Sequence, residues 1–176
     1  MERYVLTGAP GSGKSSIILE LEMRGEYVTR EAAEDFIRLM QAKGFPAPWE
    51  KEDFQKKILE LSVQREERVI GAKRVFHDRS RIDGLAYNPV DWIVRAILKA
   101  NESIKYNSIF LVERMGDIEK ASYRREDLEE ALRVEKGIIK YYSDLGYPLI
   151  RVQPGNVDDR VDFILESIEC NTLVNS

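Results

Sequence analysis

Two hydrophobic periods take turns along the chain. Short apolar runs read as buried strands, and stretches with apolar positions three and four apart read as helices. Tyr4–Thr7 is the first strand and runs into Gly8. A helix from Lys14 to about Arg24 carries Ile17, Ile18 and Leu21 on its buried face and stops at Gly25. Glu26–Thr29 reads as a second strand, with Thr29 capping a helix that bears Ala33, Phe36, Ile37 and Met40 and ends at Gly44. The prolines of Gly44–Trp49 interrupt regular structure, and a long helix then runs from about Lys51 to Ile70 with Phe54, Ile58 and Leu61 inward.

Arg74–Asp78 is the third strand. Asn88-Pro89 reads as the cap and first turn of a helix whose apolar stripe is Trp92, Ile93, Ala96 and Ile97. Ser108–Glu113 is the most clearly buried strand. A polar, charged segment follows and leads into a helix with Leu128, Leu132, Ile139 and Tyr142. Pro148–Gln153 is the fifth strand, and Asn156 caps a last helix with Val157, Val161, Ile164 and Ile168. Strand and helix in alternation predict an α/β fold, a mainly parallel sheet covered on both faces. Without repeats or low-complexity linkers, residues 1–170 read as one domain and 171–176 as a frayed tail.

Composition narrows the picture. Hydrophobic residues at 43% and charged residues at 33% fit a soluble globular chain. No apolar run is long enough to span a bilayer, and the first strand begins too early to leave room for a signal peptide. Cys170 is the only cysteine, which excludes an internal disulfide or a cysteine-based zinc site and favours a cytoplasmic compartment. The net charge is −4 with no isolated basic block, so nucleic acid is not an expected partner. A phosphorylated small molecule needs only a few local cations and stays open, as does the oligomeric state.

Gly8-Ala9-Pro10-Gly11-Ser12-Gly13-Lys14-Ser15 satisfies the pattern G-x-x-x-x-G-K-[ST], between a strand and a helix. Glycines let the backbone approach phosphates with no Cβ in the way. Successive amides form an anion nest, and the helix N-terminus adds its positive dipole. Residues Gly8 through Ser16 are therefore expected to bind a nucleoside triphosphate, ATP above all. Lys14 would reach the outer phosphates and the Ser15 hydroxyl would hold Mg²⁺.

Asp78 ends the third strand, on the rim where parallel sheets bind ligands, and is expected to join Ser15 at the metal. Glu113, at the end of the next strand, is its rival. His77 points to the other face of its strand and reads as a buried, hydrogen-bonded histidine. Glu31 follows the second strand and is a general base for the acceptor hydroxyl, a carboxylate that holds substrate or, with Glu34 and Asp35, acid favoured at a helix start. Arg124 and Arg125 lie in the polar segment after the fourth strand, where on a mobile flap they would neutralise transferring phosphate or else pair with Glu126, Glu129 and Glu130.

With these residues in place, the chain resembles the P-loop nucleoside and nucleotide kinases. The loop GAPGSGKS is similar to that of adenylate kinases, and Asp78-Arg79-Ser80 resembles the acid-Arg-Ser motif of deoxynucleoside kinases. Glu31-Ala32-Ala33, Asp78-Arg79, Arg125–Ala131 and Tyr142–Leu165 resemble a family of small AAA-labelled P-loop proteins that includes the ribosylnicotinamide kinase domain. That resemblance implies a three-layer P-loop NTPase fold with strand order 2-3-1-4-5. It also implies a flap at about 115–125 that includes Arg124 or Arg125, and a role for Asp78 in the metal or substrate site. The substrate pattern of adenylate kinases after the second strand is missing, which argues against AMP as acceptor. The chain is also too short for the added helical domain of ring-forming AAA proteins.

Two activities follow as expectations. The first is ATP- and Mg²⁺-dependent phosphoryl transfer to a small metabolite, with Trp49, Tyr87 or Trp92 available to stack on an aromatic acceptor, although Trp92 reads better as a packing residue. The alternative is a regulatory ATPase or GTPase switch with slow hydrolysis and a protein or lipid partner. The guanine signature N-K-x-D is missing from the sequence.

Overall fold

A computed structural model describes residues 1–114 and 125–174. Its strands are β1 (Glu2–Thr7), β2 (Tyr27–Thr29), β3 (Arg74–Asp78), β4 (Ser108–Val112) and β5 (Leu149–Val152). All pair in parallel, in the order β2-β3-β1-β4-β5. The register sets Leu6 beside both Asp78 and Phe110, which brings the carboxyl ends of β1, β3 and β4 level. The helices are α1 (Lys14–Met23), α2 (Ala32–Ala42), α3 (Phe54–Glu67), α4 (Asp91–Asn101), α5 (Arg125–Asp144) and α6 (Val157–Val174).

The central strands are apolar on both sides because helices cover both faces, as parallel sheets require. On one face Tyr4, Leu6, Phe76 and Phe110 pack against Ile17 and Leu21 of α1 and Val161 and Ile164 of α6. On the other, Val5, Ile109 and Leu111 meet Ile93 and Ile97 of α4 and Val134, Ile138 and Tyr142 of α5. The result is the expected three-layer P-loop architecture. Among the described residues no helix is long and apolar enough to cross a membrane.

Several local expectations change. α2 starts at Ala32 with Glu31 at its cap position, because the Thr29 hydroxyl is engaged with the His77 ring at 2.7 Å. α4 starts at Asp91, since Asn88 is left-handed (φ 49) and ends a 3-10 helix over Arg81–Tyr87 that hydrophobic spacing did not signal. Trp92 is 42% exposed, outside the stripe expected for it. On α5 the buried face is Ala131, Val134, Ile138 and Tyr142, with Leu132 turned outward. α3 is shorter at both ends than expected, and α6 runs from Val157 to Val174.

The 3-10 helix is anchored to α3 by a buried ion pair. Arg81 donates to Glu66 at 2.7 Å, and the Tyr106 hydroxyl adds contacts of 3.3 Å to the same carboxylate. Burial pushes the Glu66 carboxyl up, and Arg81 opposes that shift. Arg81→Met should therefore cost about 3–5 kcal/mol in urea unfolding, because it strands a buried charge. The double variant Glu66→Leu/Arg81→Met should recover most of that loss.

Candidate functional site

The loop after β1 turns on glycines that have no substitute. Gly8 has φ 138, and a Cβ there would lie 2.5 Å from the Val112 carbonyl oxygen of β4. Gly11 and Gly13 also take positive φ, and Gly13 caps α1 in the left-handed region. Lys14 is folded back into the loop it heads. Its ammonium donates to Gly8 O at 3.1 Å, Ala9 O at 2.8 Å and Ser12 Oγ at 3.1 Å. Burial, helped by the charge on Arg79, pulls Lys14 down to about 8. Bound phosphate would favour its charged form further, so the cradle has the chemistry of an anion site.

Across the rim, Ser15 Oγ donates to Asp78 Oδ2 at 3.3 Å. The other Asp78 oxygen is buried and has no hydrogen-bond partner. Burial and the neighbouring Glu31 charge push the carboxyl up to about 6. An oxygen pair with one unsatisfied carboxylate atom suits a hard divalent cation that keeps waters and phosphate oxygens as its other ligands. Among the described residues no group of three or more His, Cys, Asp or Glu gathers for a metal, so the protein's share of such a site is small. Glu113 is occupied elsewhere, accepting from Arg151 at 2.6 Å.

Arg79 follows Asp78 with φ 64, a left-handed conformation that is strained for a residue with a Cβ. Its N–H bonds Leu6 O at 3.0 Å, which holds the turn against β1. The side chain lies 3.2 Å from Glu31 Oε1 and 3.2 Å from Asp83 Oδ1, with the guanidinium 6.0 Å from the Tyr87 ring centre. Glu31, Asp78 and Arg79 thus meet at one point, as the strand-end rule predicts for acids after β2 and β3. Glu34 and Asp35 pair instead with Arg38 and Arg65.

From that point a cleft of about 790 Å³ runs outward between α2, α3 and the 3-10 helix. Its inner end is the phosphate loop, Pro10 to Ser16, and its apolar wall includes Ile37, Trp49, Phe54, Ile58 and Tyr87. Trp92 is not among the lining residues. Arg124 lies outside the described residues, as does most of the expected flap, and Arg125 is placed only as the first residue of α5.

Two residues at the site gave no motif-level signal. Asp83, 2% exposed, accepts from Thr7 Oγ1 at 2.5 Å, Tyr142 Oη at 2.7 Å and Ser80 N at 3.0 Å. Arg160 of α6 reaches the back of the phosphate loop, donating to Ser12 O at 3.1 Å and Glu113 O at 2.8 Å. Its position was a usable clue, since a cation in the first turn of a helix opposes the dipole.

His77 is fully buried, as expected, with Nε2 unpartnered. Burial, with the charges of Arg3 and Arg81, drops it to about 3. Stability from a depressed histidine is present above its usual 6.5 and is lost as pH falls towards about 3. For Asp78 the sign reverses: stability is full below 3.8 and is lost as pH rises through about 6. The two oppose each other between about pH 6 and pH 4. Relative to the wild type, Asp78→Asn should lose stability on acidification across this window, by about 1 kcal/mol per pH unit, and His77→Asn should gain. Urea unfolding at pH 7, 6 and 5 reads both, and slopes of the same sign in the two variants would refute the assignment.

Comparison with known proteins agrees with this fold. Deoxyadenosine kinase from M. mycoides superposes with a TM-score of 0.65 at 14% identity, covering 96% of this chain and 99% of that one. The NadR protein in complex with NR gives a TM-score of 0.72 at 13% identity over 94% of this chain, which spans only 51% of NadR. Thymidylate kinase from Ehrlichia chaffeensis gives 0.61 at 14% identity, covering 95% and 98% of the two chains. Identities this low speak for the fold. No curated protein matches the chain. The family model described as an AAA domain matches residues 3–160, and the chain therefore belongs to that P-loop family.

Proposed function

We propose that this protein transfers the terminal phosphoryl group of ATP, with Mg²⁺, to a hydroxyl of a small nucleoside-like metabolite. One observation carries the reading: the phosphate loop opens directly into the 790 Å³ cleft, with Glu31, Asp78 and Arg79 at the junction. A nucleotide switch that passes phosphate to water needs no such chamber beside its loop.

Each group has a task that its position supports. Lys14 would exchange Gly8 O, Ala9 O and Ser12 Oγ for phosphate oxygens. Ser15 and Asp78 would hold the cation, and ATP with Mg²⁺ supplies the phosphoryl group and the charge neutralisation at its oxygens. Glu31, held beside Arg79, would orient the acceptor hydroxyl and take its proton. Trp49 and Tyr87 flank a wall suited to a flat, apolar body. Arg65 donates to the Arg30 and Glu31 carbonyls and to Asp35, and Arg79 faces Glu31 and Asp83. With those cations engaged, a hydroxylated acceptor suits the cleft better than a monophosphate. The lone Cys170 and the nucleotide requirement suit the cytoplasm.

ADP release from ATP and Mg²⁺ over a panel of nucleosides, nucleoside monophosphates and ring-bearing alcohols tests the proposal. A nucleoside-like compound should raise the rate well above water hydrolysis, whereas a flat response over the panel would favour the regulatory NTPase. Lys14→Ala should reduce turnover about 100- to 1,000-fold, as loss of an electrostatic clamp does. Glu31→Gln should lower kcat at least about 100-fold with little change in KM for ATP. An unchanged kcat removes Glu31 from the reaction.

A further inference from the structure

Arg160 is 4% exposed and makes no ion pair among the described residues. The acids around it are already engaged. Asp158 and Asp162 pair with Arg24, Asp159 accepts from Asn156, and Glu113 accepts from Arg151. The guanidinium has only two backbone carbonyls, Ser12 O and Glu113 O, and its Nε has no partner. Burial pulls its pKa down. The nearby Glu113 charge opposes that shift only in part, and a buried charge with no ion-pair partner is costly to retain, a cost that an anionic ligand reduces.

The geometry shows where that ligand would be. In a trans peptide the carbonyl and the following N–H point in opposite directions. Arg160 draws the Ser12 carbonyl towards α6, so the Gly13 N–H turns the other way, to the side of the loop that faces the cleft. Gly13 leaves room for this approach, since a Cβ there would meet the Arg160 guanidinium at 3.1 Å. A cation on the carbonyl also polarises the peptide and makes its N–H a stronger donor.

We propose that Arg160 is a positioning residue for nucleotide polyphosphate: it aims the Ser12–Gly13 peptide into the cradle and supplies, from behind the loop, the positive charge that bound phosphate balances. The proposal rests on the phosphate-loop reading above. Arg160 does not touch the nucleotide. It also ties the loop to the end of β4 through Glu113 O, so the floor of the cradle is held from two strands.

The test separates charge from bracing. Arg160→Gln keeps donors and loses the charge, and Arg160→Lys keeps the charge and loses the fork. Without nucleotide, Arg160→Gln should melt at or above the wild-type temperature, because an uncompensated charge has gone. Its affinity for ADP, by calorimetry, should fall about tenfold, through the weaker Gly13 N–H donor and the charge lost from behind the loop. Arg160→Lys should keep more of that affinity. KM for ATP should rise by a larger factor than kcat falls.

A Gln variant with wild-type ADP affinity, or a Lys variant weaker than Gln, would overturn the proposal. A Gln variant that does not fold would overturn it too and make Arg160 a structural brace. If wild type and Lys14→Ala alike show no ADP binding, the phosphate-loop reading itself fails. Wild-type binding lost in Lys14→Ala but kept in Arg160→Gln would sink this proposal alone.

Discussion

Asp83 lies beneath the turn that carries Asp78, Arg79 and Ser80, and its two oxygens take hydrogen bonds from four partners. Thr7 comes from the end of β1, Arg79 and Ser80 from the exit of β3, and Tyr142 from α5. The Tyr142 hydroxyl gives its one proton to the carboxylate and so accepts from Ser80 Oγ at 2.7 Å. A buried carboxylate is retained at low cost when its lone pairs are filled in this way. Here the same contacts fasten the rim of the candidate site to strands and to the opposite helix layer.

That fastening makes the Arg79 backbone tenable. A left-handed arginine costs on the order of 1–3 kcal/mol, and the bonds to Leu6 O and Asp83 offset it. In return the side chain is turned towards Glu31, and the acid from β2 and the acid from β3 share one junction. At that junction burial moves the ionisation of Lys14 and Asp78, and the charges of Arg79 and Glu31 act on both. Charge of both signs concentrated at strand ends is the pattern expected of a site that handles polyphosphate and a cation.

Much of this was legible residue by residue. The phosphate loop declared itself because each position answers a local demand: positive φ, no Cβ, a reaching lysine, a hydroxyl on the first turn of α1. The buried strands stood out for the same reason, as apolar runs cut by glycine and acid. His77 could be set on the face opposite Asp78 from the two-residue period of a strand alone. The start of α4 could not, since Asn88-Pro89 satisfies a helix-start rule while actually closing the 3-10 helix before it.

What the sequence determined by itself was therefore the chemistry that is local in the chain: the anion-binding loop, the α/β alternation and the acids at strand ends. Only the tertiary structure decided which distant groups meet. Asp78 rather than Glu113 faces Ser15, because Arg151 on β5 takes the latter. Asp83 and Arg160 matter through partners 76 and 148 residues away. No periodicity or spacing encodes contacts of that range, because sheet order and helix packing create them. The phosphate loop could be recognised as a loop; the brace on its floor, Arg160 on the Ser12 carbonyl, came from the far end of the chain.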